Sequence, residues 1–152
     1  MSVECRALNE YMKKQLTIHN RIEELTQVAI FVEELCEEMK LGAEWVFNLN
    51  LVLEEAVTNV IMYAYPEGED HEIWLTATAQ DGMLSLVLQD EGKPFDPTEV
   101  PDADVTLSAE ERPIGGLGIF LIRQMMDEVN YQYVDSRNVL TMRKNVENLI
   151  VS

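Results

Sequence analysis

The chain has 152 residues, of which 47% are hydrophobic and 26% are charged, and its formal net charge is −17 at pH 7. This length and composition are typical of one globular domain with a hydrophobic core. The acidic charge argues against binding to nucleic acid or to an anionic membrane surface, because long-range repulsion opposes both. It favours a protein partner with a basic face, although acidity that only keeps the protein in solution explains the charge equally well.

The sequence has no clear targeting or metal-binding pattern. The longest apolar stretch is far shorter than the ~18 residues that cross a bilayer, and the first residues lack the apolar segment of a signal peptide. The two cysteines, Cys5 and Cys36, match no metal-ligand or redox spacing, and the histidines His19 and His71 stand alone. We therefore expect a cytoplasmic protein, with both histidines in turns or at the surface.

The first predicted elements are a strand and two helices. The stretch QLTIHN at 15–20 predicts a short strand. Asn20 and Glu23 have the spacing of a capping box, which predicts a helix that continues to about Lys40. A second helix is predicted at about 43–64, because a proline and a glycine follow it closely.

Two hairpins and a long loop complete the predicted architecture. Two β-rich runs joined at Asp81-Gly82 predict the first hairpin, and VNYQYVD with NVLTMRK predicts the second. The stretch from Lys93 to Ile114 is polar, contains four prolines and predicts a long loop with at most one short helical turn. Loops of that length are usually functional. Helices combined with mostly antiparallel strands predict a two-layer α+β sandwich, with the helices on one face of the sheet.

A polar stripe is predicted on the second helix. At about 100° per residue, Asn48, Glu55 and Asn59 fall together beside the apolar face, whereas Glu54 and Thr58 fall on the outer side. A carboxylate and an amide oxygen one turn apart suit a divalent cation, or a water that Glu55 activates as a base. Taken alone, this polar stripe is explained more simply as the solvated edge of a helix without a functional role.

Two further segments have the composition of a binding site. Asp90 ends a β-rich run and is followed closely by Gly92, so it either accepts an amino group from a ligand near the backbone or forms an ordinary Asx turn. Gly115, Gly116 and Gly118 precede a strongly helical run, where each glycine costs roughly 1 kcal/mol relative to alanine. They indicate a turn with positive φ or the approach of a phosphate to a helix N-terminus. The pattern matches neither a Walker A loop nor, closely, a dinucleotide-binding loop.

The order and spacing of these segments resemble a known family. The N, G1 and G2 boxes of the GHKL ATPases are similar, in that order, to LEEAVTNVIMYAYPEG, LQDEGKPFDP and GGLGIFLIRQMMDEVNYQY…NVLTMRK. The closest likeness is to the anti-sigma-factor serine kinases of bacterial partner-switching systems, and it covers about residues 15–145. The resemblance implies one histidine-kinase-like ATPase domain over 1–152, with a Bergerat-type sandwich, Mg²⁺-ATP between the helices and a mobile lid at 93–114.

The resemblance also implies a role for each matching residue. Glu55 matches the general base that activates the attacking hydroxyl, and Asn59 matches the magnesium ligand that bridges metal and phosphates. Asp90 matches the carboxylate that accepts the adenine amino group, with Gly92 beside it. The other implied nucleotide-binding residues are the phosphate-contacting Gly116 and Gly118, Leu117 between them, and Thr141, which matches a threonine that helps to hold an adenine-linked water. This chain departs from the family in having Tyr63 where histidine is frequent and Ser136 in a turn where glycine is frequent.

Two functions of different classes follow from the resemblance. The first is an ATP-dependent serine/threonine protein kinase that phosphorylates a small antagonist protein (anti-anti-sigma-like) and sequesters a sigma factor or another regulator. The second is a nucleotide-gated binding module whose ADP and ATP states select partners, with negligible phosphotransfer. The intact Glu55 favours the kinase. ATP or ADP and Mg²⁺ are the expected cofactors, and we also expect a homodimer.

Overall fold

The computed structural model describes residues 11–99 and 116–151. The strands and helices of these two ranges are, in chain order, β1 (Met12–His19), α1 (Leu25–Met39), α2 (Ala43–Asn59), β2 (Glu72–Gln80), β3 (Met83–Asp90), α3 (Gly116–Met125), β4 (Glu128–Val134) and β5 (Arg137–Asn145). Short 3₁₀ turns lie at 22–24, 97–99 and 147–149. None of the helices described is long and apolar enough to cross a membrane.

The five strands form one antiparallel sheet in the order β1-β2-β3-β5-β4. Alternate residues of each strand face opposite sides of a sheet, and in β3 the buried set is Leu84, Leu86, Leu88 and Asp90. The buried faces of α1, α2 and α3 pack on this side of the sheet and form the hydrophobic core with it. The structure therefore confirms the predicted two-layer α+β sandwich. The same alternation places the carboxylate of Asp90 on the helix-covered side, at the end of its strand.

Both predicted hairpins are present. Asp81 and Gly82 have φ values of 53° and 79°, and Asp135 and Ser136 have values of 53° and 62°. Positive φ at both central residues is the geometry of a type I′ turn, whose twist matches that of the flanking strands. The second turn adopts this geometry without a glycine; aspartate tolerates the left-handed region better than most residues do, whereas Ser136 adopts it without that advantage.

The capping box predicted at Asn20 is wrong. The side-chain Oδ1 of Asn20 accepts a hydrogen bond from the His71 backbone N–H at 2.8 Å, and its Nδ2 donates to the Glu69 carbonyl at 2.9 Å. Glu24, and not Glu23, binds the chain before the helix: its carboxylate accepts a hydrogen bond from the His19 backbone N–H at 3.0 Å. Asn20 therefore fastens the end of β1 to the loop before β2, a long-range partner that local spacing does not reveal.

The end of the second helix was predicted correctly, but its last turn is of a different type. After α2 the chain continues through a π-helical turn at Val60–Ala64 and becomes extended at Tyr65, directly before Pro66. The backbone N–H of Lys93 donates to the Ala64 carbonyl at 2.9 Å. The π-helical turn therefore fixes the segment that follows β3 against the end of α2.

Candidate functional site

A small cavity lies between α2, the end of β3 and the strands β4 and β5. Its walls are mostly apolar, and its polar groups come from four side chains, Asn59, Asp90, Tyr131 and Asn138. A few convergent polar groups in an apolar pocket are typical of a small-molecule site. The cavity volume is about 20 Å³, room for only one or two water molecules.

Residues 93–99, called here the covering segment, close the cavity. Phe95 and Pro97 form part of its wall, and the ring of Phe95 stacks on that of Tyr63 with 5.0 Å between ring centroids. The side chain of Arg123 in α3 donates a hydrogen bond to the Thr98 carbonyl. The cavity is too small for a ligand of more than a few atoms, and an outward movement of the covering segment would enlarge it. The 3₁₀ turn at 97–99 matches the short helical turn predicted in the loop, while residues 100–114 lie outside the described ranges.

Helix α2 supplies the two functional side chains predicted on its polar stripe. Asn59 is only 6% exposed and lies on the cavity wall. Its amide makes no hydrogen bond with any residue that the structure describes, so its oxygen and nitrogen are available to a ligand. Glu55 lies one turn earlier and is half-buried. Burial, and to a smaller extent the neighbouring Glu54 carboxylate, raises the pKa of Glu55, which makes its carboxylate a stronger base.

Asp90 is the buried acid of the site, with 2% of its surface exposed. Its Oδ1 accepts two hydrogen bonds, from the Gly92 backbone N–H at 2.9 Å and from Asn138 Nδ2 at 2.8 Å. Burial raises the pKa of Asp90 more than these two hydrogen bonds lower it. No described residue donates to Oδ2, so the carboxylate keeps one oxygen that can accept a hydrogen bond from a ligand.

Gly92 packs closely against the end of α2, and its contact with a nucleotide stays a prediction. Gly92 was expected to let a ligand approach the backbone, but it is not on the cavity wall. A Cβ atom at this position would lie 2.3 Å from the Ala64 carbonyl oxygen and 2.7 Å from the Ala64 Cβ. The glycine is therefore required by the close packing of the chain against the end of α2.

Gly92→Ala is expected to destabilise the protein by about 1–3 kcal/mol, because the added methyl group must displace backbone rather than a flexible side chain. Urea unfolding of the free protein measures this free energy. Gly42→Ala is the matched control, since a Cβ there would lie at an ordinary 3.6 Å from Val151 Cγ1. Equal losses of stability in the two variants would contradict this explanation of Gly92.

Asn138 is a site residue that the sequence reasoning missed. It is 5% exposed, lies on the first half of β5 directly opposite Asp90 of β3, and bonds to its carboxylate. A signal was present in the pattern of NVLTMRK. Alternation places Asn138 in phase with Leu140 and Met142, both of which are buried. A polar residue in the buried phase of a strand needs hydrogen-bond partners and is therefore a candidate for the site.

The comparison with known proteins identifies the family. Residues 18–144 match the family described as histidine kinase-like ATPase domain. The chain belongs to this family. The predicted resemblance to the GHKL ATPases is thereby confirmed, and the cavity lies where the predicted N and G1 segments, represented by Asn59 and Asp90, come together.

Two relatives of the chain carry the names of protein kinases. The chain is 29% identical to the serine/threonine-protein kinase BtrW of Bordetella bronchiseptica over 117 residues, which cover 77% of this chain and 82% of that protein. It is 34% identical to the serine-protein kinase RsbW of Listeria monocytogenes over 101 residues, 64% of each protein. Among solved structures, the RsbU and RsbW domains of a Mycobacterium tuberculosis protein match with a TM-score of 0.63 at 13% identity. That match covers 88% of this chain and 32% of the other, and it supports the fold.

Thr141, which the resemblance to this family implied as a nucleotide-binding residue, does not lie at the cavity. It pairs with Val87 and points to the opposite face of the sheet, where it lines a groove with Asn130 and Arg143. The β5 residue next to it, Leu140, is on the cavity wall instead. The offset of one residue matters because successive side chains of a strand face opposite sides.

The glycine-rich segment leads into α3 as predicted. Gly116 is the first residue of this helix, and Leu117 and Gly118 follow in its first turn, whose backbone N–H groups have no partner within the helix. Gly115 lies outside the described residues. Helix α3 packs against α2, the helix that carries Glu55 and Asn59. Phosphate binding at this helix N-terminus stays a prediction.

Proposed function

We propose that the chain is an ATP-dependent serine/threonine protein kinase of the anti-sigma-factor type. It phosphorylates a small antagonist protein and sequesters a sigma factor or another regulator. The observation that carries this proposal is the position of Glu55, one helical turn from the free amide of Asn59 on the wall of the Asp90 cavity. The kinase names of the relatives from Bordetella and Listeria support the same reaction.

Asp90 is proposed to recognise the amino group of adenine. Since burial raises its pKa, ionisation of Asp90 opposes folding. Its contribution to stability is full below the usual carboxyl pKa and is lost as the pH rises through the raised value. An ionised carboxylate with one unoccupied oxygen is thus unfavourable for the free protein, and a ligand that donates a hydrogen bond to Oδ2 compensates for it.

Asn59 is the proposed protein ligand of Mg²⁺. No group of three or more His, Cys, Asp or Glu side chains within the described ranges could hold a metal ion by itself. Magnesium in ATP sites commonly takes one or two protein oxygens and completes its shell with phosphates and water, which fits a single buried amide without other hydrogen bonds. When bound, Mg²⁺ neutralises charge on the phosphates, which the chain's own net charge of −17 would otherwise repel.

Glu55 is proposed to accept the proton of the attacking serine or threonine hydroxyl. A general base works best when its pKa lies near the operating pH, and the pKa of an exposed carboxylate is too low for this. Burial raises the pKa of Glu55 and so brings it closer to the operating pH. Its half-buried position at the edge of α2 leaves the carboxylate open to a hydroxyl group presented by a protein substrate.

Adenine nucleotides are expected to stabilise the protein against heat. At about 100 times its dissociation constant, a ligand adds roughly 2.7 kcal/mol to the free energy of unfolding. GTP should raise the melting temperature much less than ATP, because guanine carries no amino group at the ring position that Asp90 recognises. Thermal unfolding with Mg²⁺ and each nucleotide measures both effects, and equal shifts from ATP and GTP would count against the adenine site.

Asp90→Asn separates recognition from folding in the same assay. The amide keeps an oxygen that can accept from Gly92 and Asn138 but replaces Oδ2 with a donor, which cannot bind another amino group. The variant should unfold at the same or a higher temperature than wild type without nucleotide, since a buried charge has been removed, and should lose its response to ATP. An unchanged ATP response would show that the amino group is bound elsewhere.

The second candidate function is the nucleotide-gated binding module. The observation that favours it is the small cavity of about 20 Å³, part of whose wall is the covering segment. Movement of this segment on nucleotide binding would couple the nucleotide to the shape of the surface. The kinase predicts transfer of the γ-phosphate of ATP to a serine or threonine of the antagonist protein. The binding module predicts a complex with that protein and no transfer.

A further inference from the structure

We propose that Asn138 sets the preference of the cavity for adenine, as a positioning residue that acts through Asp90. The role depends on the adenine site of the proposed function and deepens it. The resemblance to the GHKL ATPases assigns no role to this position.

The contacts of Asn138 fix the orientation of its side-chain amide. Nδ2 donates to Asp90 Oδ1 at 2.8 Å and to the Lys93 carbonyl at 2.9 Å. Oδ1 accepts from the Phe95 backbone N–H at 3.1 Å and from the Tyr131 hydroxyl. A flipped amide would direct its oxygen at two acceptors, so only one orientation satisfies the network.

These contacts use the full capacity of the amide. Both hydrogens of Nδ2 are engaged, and Oδ1 already accepts two hydrogen bonds. Asn138 therefore has no group left to bind a base directly, although it lies on the cavity wall. Any influence that it has on nucleotide choice must pass through the groups it holds.

The group that it holds most directly is the carboxylate of Asp90. The two residues are paired across β3 and β5, so the sheet register fixes their separation. Asn138 Nδ2 and the Gly92 N–H both donate to Oδ1, which restricts rotation of the carboxylate and leaves Oδ2 as the oxygen available to a ligand. Without the Asn138 donor, only the Gly92 N–H holds Oδ1, so the carboxylate rotates more freely and the acceptor for the amino group is less precisely placed.

Asn138 also ties the covering segment to β5, through Lys93 and Phe95. Loss of these two contacts loosens the cavity for every nucleotide alike. A selectivity ratio separates the two effects, because a loosened cavity lowers all affinities together, whereas a misplaced Asp90 lowers only the affinity for ligands with the amino group.

The test compares ATP with purine riboside triphosphate, which lacks the 6-amino group, by calorimetric titration with Mg²⁺. We expect wild type to bind ATP roughly 10-fold or more tightly than the analogue, because a hydrogen bond to a charged acceptor contributes about that much to affinity. The ratio of these two affinities is the measure of selectivity. Asn138→Ala should lower this ratio several-fold. Asn138→Val is the second variant, since it keeps volume and strand propensity if the alanine variant folds poorly. Asn130→Ala is the control, because it removes the same kind of side chain from β4 on the opposite face of the sheet, so its ratio should stay high.

The outcomes distinguish this role from the proposed function. A wild-type ratio close to one would overturn the adenine site itself and the role of Asn138 with it. A high wild-type ratio that survives in both Asn138 variants would overturn the positioning role alone, as would an equal loss of affinity for both ligands. A ratio that falls in the Asn138 variants and survives in Asn130→Ala is the result that the contacts predict.

Discussion

Glu55→Gln is expected to slow phosphotransfer by about 10²- to 10⁴-fold, or roughly 3–5 kcal/mol of activation free energy. Glutamine keeps the shape of the side chain but cannot accept the proton of a serine hydroxyl. Nucleotide affinity should change little, because Glu55 is not on the wall of the cavity that holds Asp90 and Asn59. Single-turnover rates with the cognate antagonist protein, together with the Mg²⁺-ATP affinity, measure the two effects separately.

Glu54→Gln is the matched control for this experiment. Glu54 is the adjacent residue of α2 and is exposed, so the same chemical change is made on the outer side of the same helix. Its rate should stay close to that of wild type, apart from a small effect through the repulsion that raises the pKa of Glu55. If Glu55→Gln transfers phosphate as fast as Glu54→Gln, Glu55 is not the base.

Asn59→Ala is expected to affect both binding and turnover. Removing the buried amide takes away the proposed protein ligand of Mg²⁺, and a lost contact to a charged group is worth about 10- to 100-fold in affinity. The loss should appear in the Mg²⁺-dependent part of ATP binding, so the affinities of wild type and variant should converge when EDTA is present. Titration of ATP with and without Mg²⁺ measures this difference.

Asn48→Ala provides the comparison within the same stripe of α2. Asn48 is half-buried like Glu55 but is not on the cavity wall, so its loss should leave Mg²⁺-ATP affinity nearly unchanged. If Asn59→Ala binds Mg²⁺-ATP as tightly as Asn48→Ala does, the amide of Asn59 is not a ligand of the metal.

Local signals were sufficient for most of the fold. The hairpin at Asp81-Gly82 was predicted because two consecutive residues with positive φ select a narrow set of residue types. The end of the second helix near Ala64 was predicted because Pro66 restricts the residue before it. The helical stripe brought Asn59 to the site for a similar reason, since helix periodicity alone fixes which residues share a face.

Long-range contacts account for what the sequence did not predict. Asn20 has the spacing of a cap, but a loop about fifty positions later in the chain binds its side chain. The close packing of Gly92 against Ala64, the last residue of the π-helical turn, was not predicted either. The positions of Thr141 and Asn138 on opposite faces of the sheet have the same origin. The face on which a strand residue lies depends on register, and motif spacing does not specify register with that accuracy.

The predicted lid at 93–114 is only partly described, and its first residues have a clear role. Phe95 and Pro97 of the covering segment close the cavity, and Asn138 and Tyr63 hold this segment in place. A cavity of about 20 Å³ is too small for a base, so we expect nucleotide binding to displace these contacts and rearrange this part of the surface. Both candidate functions use that rearrangement, and they differ in whether phosphate is then transferred.

The most direct test of the kinase is the intact mass of the small antagonist protein after incubation with Mg²⁺-ATP and this chain. We expect wild type to add one phosphoryl group at a serine or threonine, and Glu55→Gln to bind ATP with similar affinity but add it far more slowly. An antagonist protein that forms a nucleotide-dependent complex with wild type and gains no phosphate would contradict the kinase and leave the binding module as the function.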